Sequence, residues 1–170
     1  MNVAPVPPEI EDDSPEGAAI RASVGTGISV SKGREFNTLG TVLGLGYHGS
    51  PIVASEDTPL PLHDSQIYIP NARPGYLAPH AWLQDGRSLY DLFGLGFSLV
   101  VAEGADRAEV DLAIEDARDR GLPLTIVEPD DDAIAQLYGA ALTLVRPDQH
   151  VAWRGDRWTG VLARVTGSAT

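Results

Sequence analysis

The groups in this sequence that could do chemistry are four histidines, one serine flanked by acids, a glycine-rich hexapeptide and a run of acids. His48, His63, His80 and His150 are widely scattered, with no His-x-x-His or His-Glu-x-x-His spacing to set two ligands on one face. No metal site is expected from them. Ser88 lies on Ser-Leu-Tyr-Asp rather than a Gly-x-Ser-x-Gly elbow, and its distance from Asp91 gives it a capping role. A triad of Ser88, His80 and Asp85 or Asp91 stays open on sequence, but no catalytic residue is assigned. Gly44-Leu45-Gly46-Tyr47-His48-Gly49 fits Gly-x-Gly-x-x-Gly. That fingerprint needs a strand before it and a helix after it, whereas Ser50-Pro51 follows here, so no cofactor site is placed on it. The acids from Glu128 to Asp132 precede a helical pattern, where they meet the positive helix end, and they lack EF-hand spacing. Trp82, Tyr90, Phe93, Phe97 and Trp153 form an aromatic group whose ordinary use is core packing. If any surface meets a ligand or partner, His80, Trp82, Tyr90, Phe93, His150 and Trp153 are its expected contacts.

Composition removes several function classes. With 12 Lys and Arg against 24 Asp and Glu, the formal net charge is −12 over 170 residues, which opposes nucleic-acid and anionic-membrane partners. There is no cysteine, hence no disulfide, no redox thiol pair and no thiolate metal site. Residues 1–17 hold neither Lys nor Arg nor an apolar stretch, so they do not read as a secretory leader. Apolar runs such as Leu99–Ala102 fall far below the ~20 residues a spanning helix needs. A cytoplasmic protein is expected.

The elements that must position these groups divide into zones. Residues 1–13 read as a disordered acidic tail, Pro-rich with little to bury. Residues 14–43 read as a helical arm. Ser14-Pro15-Glu16 gives it a start, and Ile20, Val24, Ile28, Phe36, Leu39 and Leu43 form a stripe along a helix from about 15 to 40. Residues 44–79 carry six prolines and read as a Pro-rich linker with short extended pieces at 47–53 and 66–68. From residue 80 the pattern sharpens into a thioredoxin-like domain, 80–170. Its segments are an extended piece at 80–83, a turn at Asp85-Gly86, a short helix after Ser88, and strands at 97–102 and 122–127. Helices follow at 105–120 and 132–138, a hairpin closes around Arg146-Pro147-Asp148-Gln149, and a last helix spans 158–165. The order β-α-β-α-β-β-α, with a parallel first pair and an antiparallel last pair, predicts an α/β fold: a mixed sheet flanked by helices.

Several long segments carry a resemblance. Ala72-Arg73-Pro74-Gly75, Ala78-Pro79-His80-Ala81-Trp82-Leu83 and Asp85–Gly94 look like the C-terminal domain of flavin-dependent aromatic hydroxylases, among them phenol, dichlorophenol and polyketide hydroxylases. Leu144–Gly155 is similar to the hairpin of that domain, and Leu45–Val53 resembles the stretch where those enzymes leave the flavin domain. The resemblance runs over about residues 14–165. It implies a thioredoxin-like domain without redox cysteines beside a separate flavin module, so that FAD and NADPH belong to the longer relatives and not to this chain. The function expected is an accessory domain for packing, dimerisation or partner contact. The alternative is a stand-alone protein recruited to bind or transform a phenolic or polyketide-like molecule without flavin. The expected partners are a second copy, which the apolar stripe would bury, or a flavin-domain protein, with an aromatic small molecule as a further candidate.

One outcome follows from the missing thiols. The purified chain is predicted to give no insulin-disulfide reduction above a buffer blank, because that reaction runs through a thiolate.

Overall fold

The computed structural model describes residues 6–168. Its centre is strand β1, Phe97–Val101, all five residues of which are buried. A strand apolar on both faces must lie inside a sheet. It pairs in parallel with β2 (Leu124–Val127) and antiparallel with β3 (Leu142–Val145), which pairs antiparallel with β4 (Val151–Gly155). The strand order is β2-β1-β3-β4.

The alternation of β1 sends successive side chains to opposite faces and builds two cores. Phe97, Leu99 and Val101 pack with Val110, Ala113 and Ala117 of helix α3 (Arg107–Asp119) and with Leu162 and Val165 of helix α5 (Leu162–Val165). Val100 packs on the other face with Ile134 and Tyr138 of helix α4 (Asp132–Tyr138) and with Leu89. Helices therefore cover both faces, and the thioredoxin-like α/β layout read from the sequence stands. Ser88 caps a 3-10 turn, Leu89–Leu92, through a reciprocal box with Asp91, as the spacing predicted.

Three boundaries differ from the sequence reading. The arm is two helices, α1 (Pro15–Phe36) and α2 (Leu39–Gly44), broken at Asn37 and Thr38. The break lets Gly40 of α2 sit on the backbone of Asp64 and Ile67, where a Cβ would come within 1.7 Å of the Asp64 carbonyl oxygen. The extended pieces expected at 47–53 and 66–68 are turns and bends, and the Asp64 carboxylate accepts from the amides of Gln66 and Ile67 to curl the second. The last helix shortens to α5 because Trp158 is drawn toward α3. Its backbone amide donates to Glu109 and its indole N–H donates to Asp116.

Residues 1–5 of the acidic tail lie outside the described residues; Pro8–Glu11 forms a 3-10 turn bound to α1 through Arg21, which donates to the carbonyls of Ile10 and Asp12. The Pro-rich segment is not uniform. Ala72 and Ala78 are core residues, and the amides of Gly75 and Ala78 bond to β4 and its turn. By contrast, Ile28, Phe36 and Leu39 of the arm stay 57%, 81% and 61% exposed. Among the described residues, no helix is long and apolar enough to cross a membrane.

Burial sets the expected cost of substitution. Leu99→Ala is predicted to lower stability by about 2–5 kcal/mol, and Ile28→Asp by less than about 0.5 kcal/mol, in urea unfolding of the monomer.

Candidate functional site

An open α/β sheet places ligand sites beyond the C-terminal ends of its parallel strands, where consecutive connections leave toward opposite faces. Here that point is the crevice between the loops that follow β1 and β2, since α3 and α4 cover opposite faces of the sheet. The crevice has a volume near 250 Å³ and is lined by residues 101–105, Arg107 and residues 128–130. Its chemistry is restricted. The Arg107 guanidinium pairs with the Glu128 carboxylate. Asp106 caps α3 by accepting from the Ala108 amide, and Asp131 caps α4 by accepting from the Ala133 amide. Glu128 thus serves an ion pair and Asp131 a helix start, and among the described residues no three His, Asp or Glu side chains converge to hold a metal ion. Among the described residues no serine, threonine, tyrosine or histidine lines the crevice, and the sequence has no cysteine to place there.

The aromatic candidates separate into distinct places. His80, Trp82, Tyr90 and Phe93 form one row, with ring centroids 4.9 Å apart for His80–Trp82, 5.6 Å for His80–Tyr90 and 5.1 Å for Tyr90–Phe93. Trp153 packs against Trp158 in the other core, and His150 lies edge-on to Tyr47. In the row, His80 Nε2 lies 2.9 Å from Ser88 Oγ. That Ser–His contact does not extend to a triad: Asp91 accepts from the Ser88 backbone amide, and Asp85 pairs with Arg87. Burial raises the Tyr90 hydroxyl to about 12, with Tyr68 adding to the shift, and burial, with Tyr90 and then Tyr68 adding, raises Tyr138 as well. Their hydroxyls donate instead to the carbonyls of Ala78 and Pro79, pinning the row to the body.

The glycine hexapeptide is a packing joint. Gly44 ends helix α2, and a turn follows, so neither a preceding strand nor a following helix stands there. A Cβ at Gly46 would lie 2.8 Å from the Tyr76 ring, and one at Gly75, whose φ is +94°, would lie 3.2 Å from the Tyr47 carbonyl oxygen. The backbone passes close to Tyr47 at Gly75, and the Tyr76 and His48 rings close on Gly46, because neither glycine has a side chain. Tyr76 and His48 are joined by a 3.0 Å hydrogen bond.

Sequence reasoning missed the most heavily bonded polar group nearby. Arg73, 9% exposed, donates to the carbonyls of Glu56, Thr58 and Pro59 and to the Thr58 hydroxyl. The Glu56 carboxylate then accepts two bonds from Arg154 of β4, at 2.5 and 3.0 Å, and Arg154 also donates to the Tyr138 carbonyl. The signal was present: Arg73 is the one Asp, Glu, Lys or Arg between Ser65 and Gln84. A lone charge in an apolar run is buried only when it is fully bonded.

The family described as aromatic-ring hydroxylase, C-terminal, matches residues 71–169. The chain belongs to this family. It is 35% identical over 155 residues to the FAD-dependent monooxygenase apdD of Emericella nidulans, covering 86% of this chain and 24% of that protein. It is 30% identical over 162 residues to the phenol 2-monooxygenase of a Pseudomonas species, covering 86% and 26%. Among solved structures, native and K252c-bound RebC-10x superposes with a TM-score of 0.84 at 39% identity, over 98% of this chain and 32% of that one. The chain therefore spans about a quarter to a third of such relatives.

The clamp makes a pH prediction. Hydrogen bonds from Arg154 hold the Glu56 carboxyl below its ordinary value of 4.5, against some desolvation. A lowered carboxyl stabilises the fold above its unfolded value and loses that contribution as pH falls through its folded value. The stability gap between the unmutated chain and Glu56→Gln is therefore expected to be largest above pH 4.5 and to shrink on acidification, read from urea midpoints across the pH range.

Proposed function

We propose that this chain is an accessory module of a flavin-dependent aromatic-ring hydroxylase, serving packing and partner contact and performing no redox or flavin chemistry itself. The observation that carries this reading is where apolar side chains stay in water. Among the described residues, 15 large apolar side chains are left exposed, and 11 of them fall between Ile28 and Ile69, ahead of the matched family region. Such a concentration marks a surface that lies against another body. Each Å² of it would contribute roughly 25 cal/mol when covered. Relatives three to four times the length of this chain point to the occupant, a flavin-binding body of the kind their names imply. FAD and NADPH would be held there. A second copy of the chain is the competing occupant, since one self-complementary patch would serve both subunits.

A second reading rests on the row His80, Trp82, Tyr90 and Phe93. Trp82 is 69% exposed at its end, a stacking surface for a phenolic or polyketide-like molecule in a stand-alone protein.

Mixing the chain with the portion of apdD that precedes its matching region is expected to give a saturable complex. Leu39→Asp with Val42→Asp is expected to weaken it at least tenfold, a change of about 1.4 kcal/mol. No complex at high micromolar concentration, or stoichiometric FAD binding by the chain alone, would sink the accessory reading. Saturable quenching of Trp82 fluorescence by phenols would favour the second.

A further inference from the structure

Strand β4 is an edge strand of the sheet, yet its outer edge is occupied. Val151 bonds through its amide to the Tyr76 carbonyl and through its carbonyl to the Gly75 amide, and the Gln149 carbonyl accepts from Ala78. A bulge leaves Ala152 without a partner in β3, because Leu144 pairs with Trp153 and Val145 with Val151. The Ala152 carbonyl accepts instead from the Ala54 amide, at 2.9 Å. Two irregular segments, 75–78 and a strap from Ala54 to Pro59, thus cover one apolar edge. Edges with alternating Val and Trp invite another strand unless something blunts them.

The strap has no ladder of its own to hold it there. Three of its carbonyls, those of Glu56, Thr58 and Pro59, converge on a single point, which is stable only if a donor group sits at that point. The Arg73 guanidinium sits there, two residues before the 75–78 segment. Its planar fork reaches all three carbonyls at once, while Glu56 reaches across to Arg154 of β4.

We propose that Arg73 is the positioning residue of an edge cap, tying strap 54–59 to segment 75–78 so that the edge of β4 is closed to a strand from a second copy of the chain. The cap is a device of exclusion. It directs any association to the apolar arm surface and away from the sheet. The four bonds of Arg73 all end on the strap, so its loss loosens the strap before the sheet.

Hydrogen exchange and sedimentation of the full chain test this with Arg73→Gln. Amides at 53–60 are expected to exchange at least tenfold faster than in the unmutated chain, with β1 and β3 unchanged, and the average mass is expected to rise more steeply with concentration. Arg73→Lys, which keeps the charge but not the fork, is expected to fall between the two, and it carries the same comparison if Arg73→Gln does not fold. Unchanged exchange at 53–60 would overturn the positioning role. Faster exchange spread equally over β1 and β3 would make Arg73 a general stability residue and overturn it as well. A loosened strap with unchanged association would overturn the edge cap.

Discussion

With Leu99 turned toward α3 and α5 and Val100 turned toward α4, β1 contributes to both cores, as β3 and β4 also do, and its burial along all five residues constrains everything around it. A strand in that position needs a neighbour on each edge, supplied by β2 in parallel and β3 in antiparallel pairing. A parallel neighbour demands a crossover, which is α3, and the next connection must then cover the remaining face, which is α4. The crevice beyond β1 and β2 is a by-product of that routing. Its lining offers carboxylates, one arginine and alanines, and the Arg107–Glu128 ion pair lies within it.

The arm obeys a different balance. Helix α1 has 22 residues and carries Gly25, Gly27 and Gly33, each costing about 1 kcal/mol relative to alanine. In proteins most of a helix's stability comes from burying an apolar face against other elements. Its main packing among the described elements is against the Pro8–Glu11 turn, and Ile28, Val30 and Phe36 face solvent. The body packs around β1, whereas apolar side chains of the arm stay exposed.

Where the sequence held a period or a cap, it was legible. The strands at Phe97 and Leu142, the Ser88–Asp91 box and the helix from Asp132 to Tyr138 all follow from local signals that the tertiary structure reinforces. The misses share a cause. The arm breaks at Asn37 because Gly40 must dock on residues far along the chain, and Trp158 leaves its helix because Glu109 and Asp116 bind it from α3. The aromatic group split because Tyr90 and Trp153 lie on opposite faces of the sheet, which composition does not encode. The clamp of Arg73, Glu56 and Arg154 joins residues almost a hundred positions apart, so spacing could flag the isolated arginine but not its partners.

The body is expected to be stable by itself and the arm is not. Residue-resolved amide exchange on the chain, diluted until it is monomeric, tests this most directly. Strong protection is expected for amides of β1 and β3 and near-unprotected exchange for residues 15–36. Protection of residues 15–36 equal to that of β1 in the monomer would contradict it, because the arm would then belong to the chain's own core.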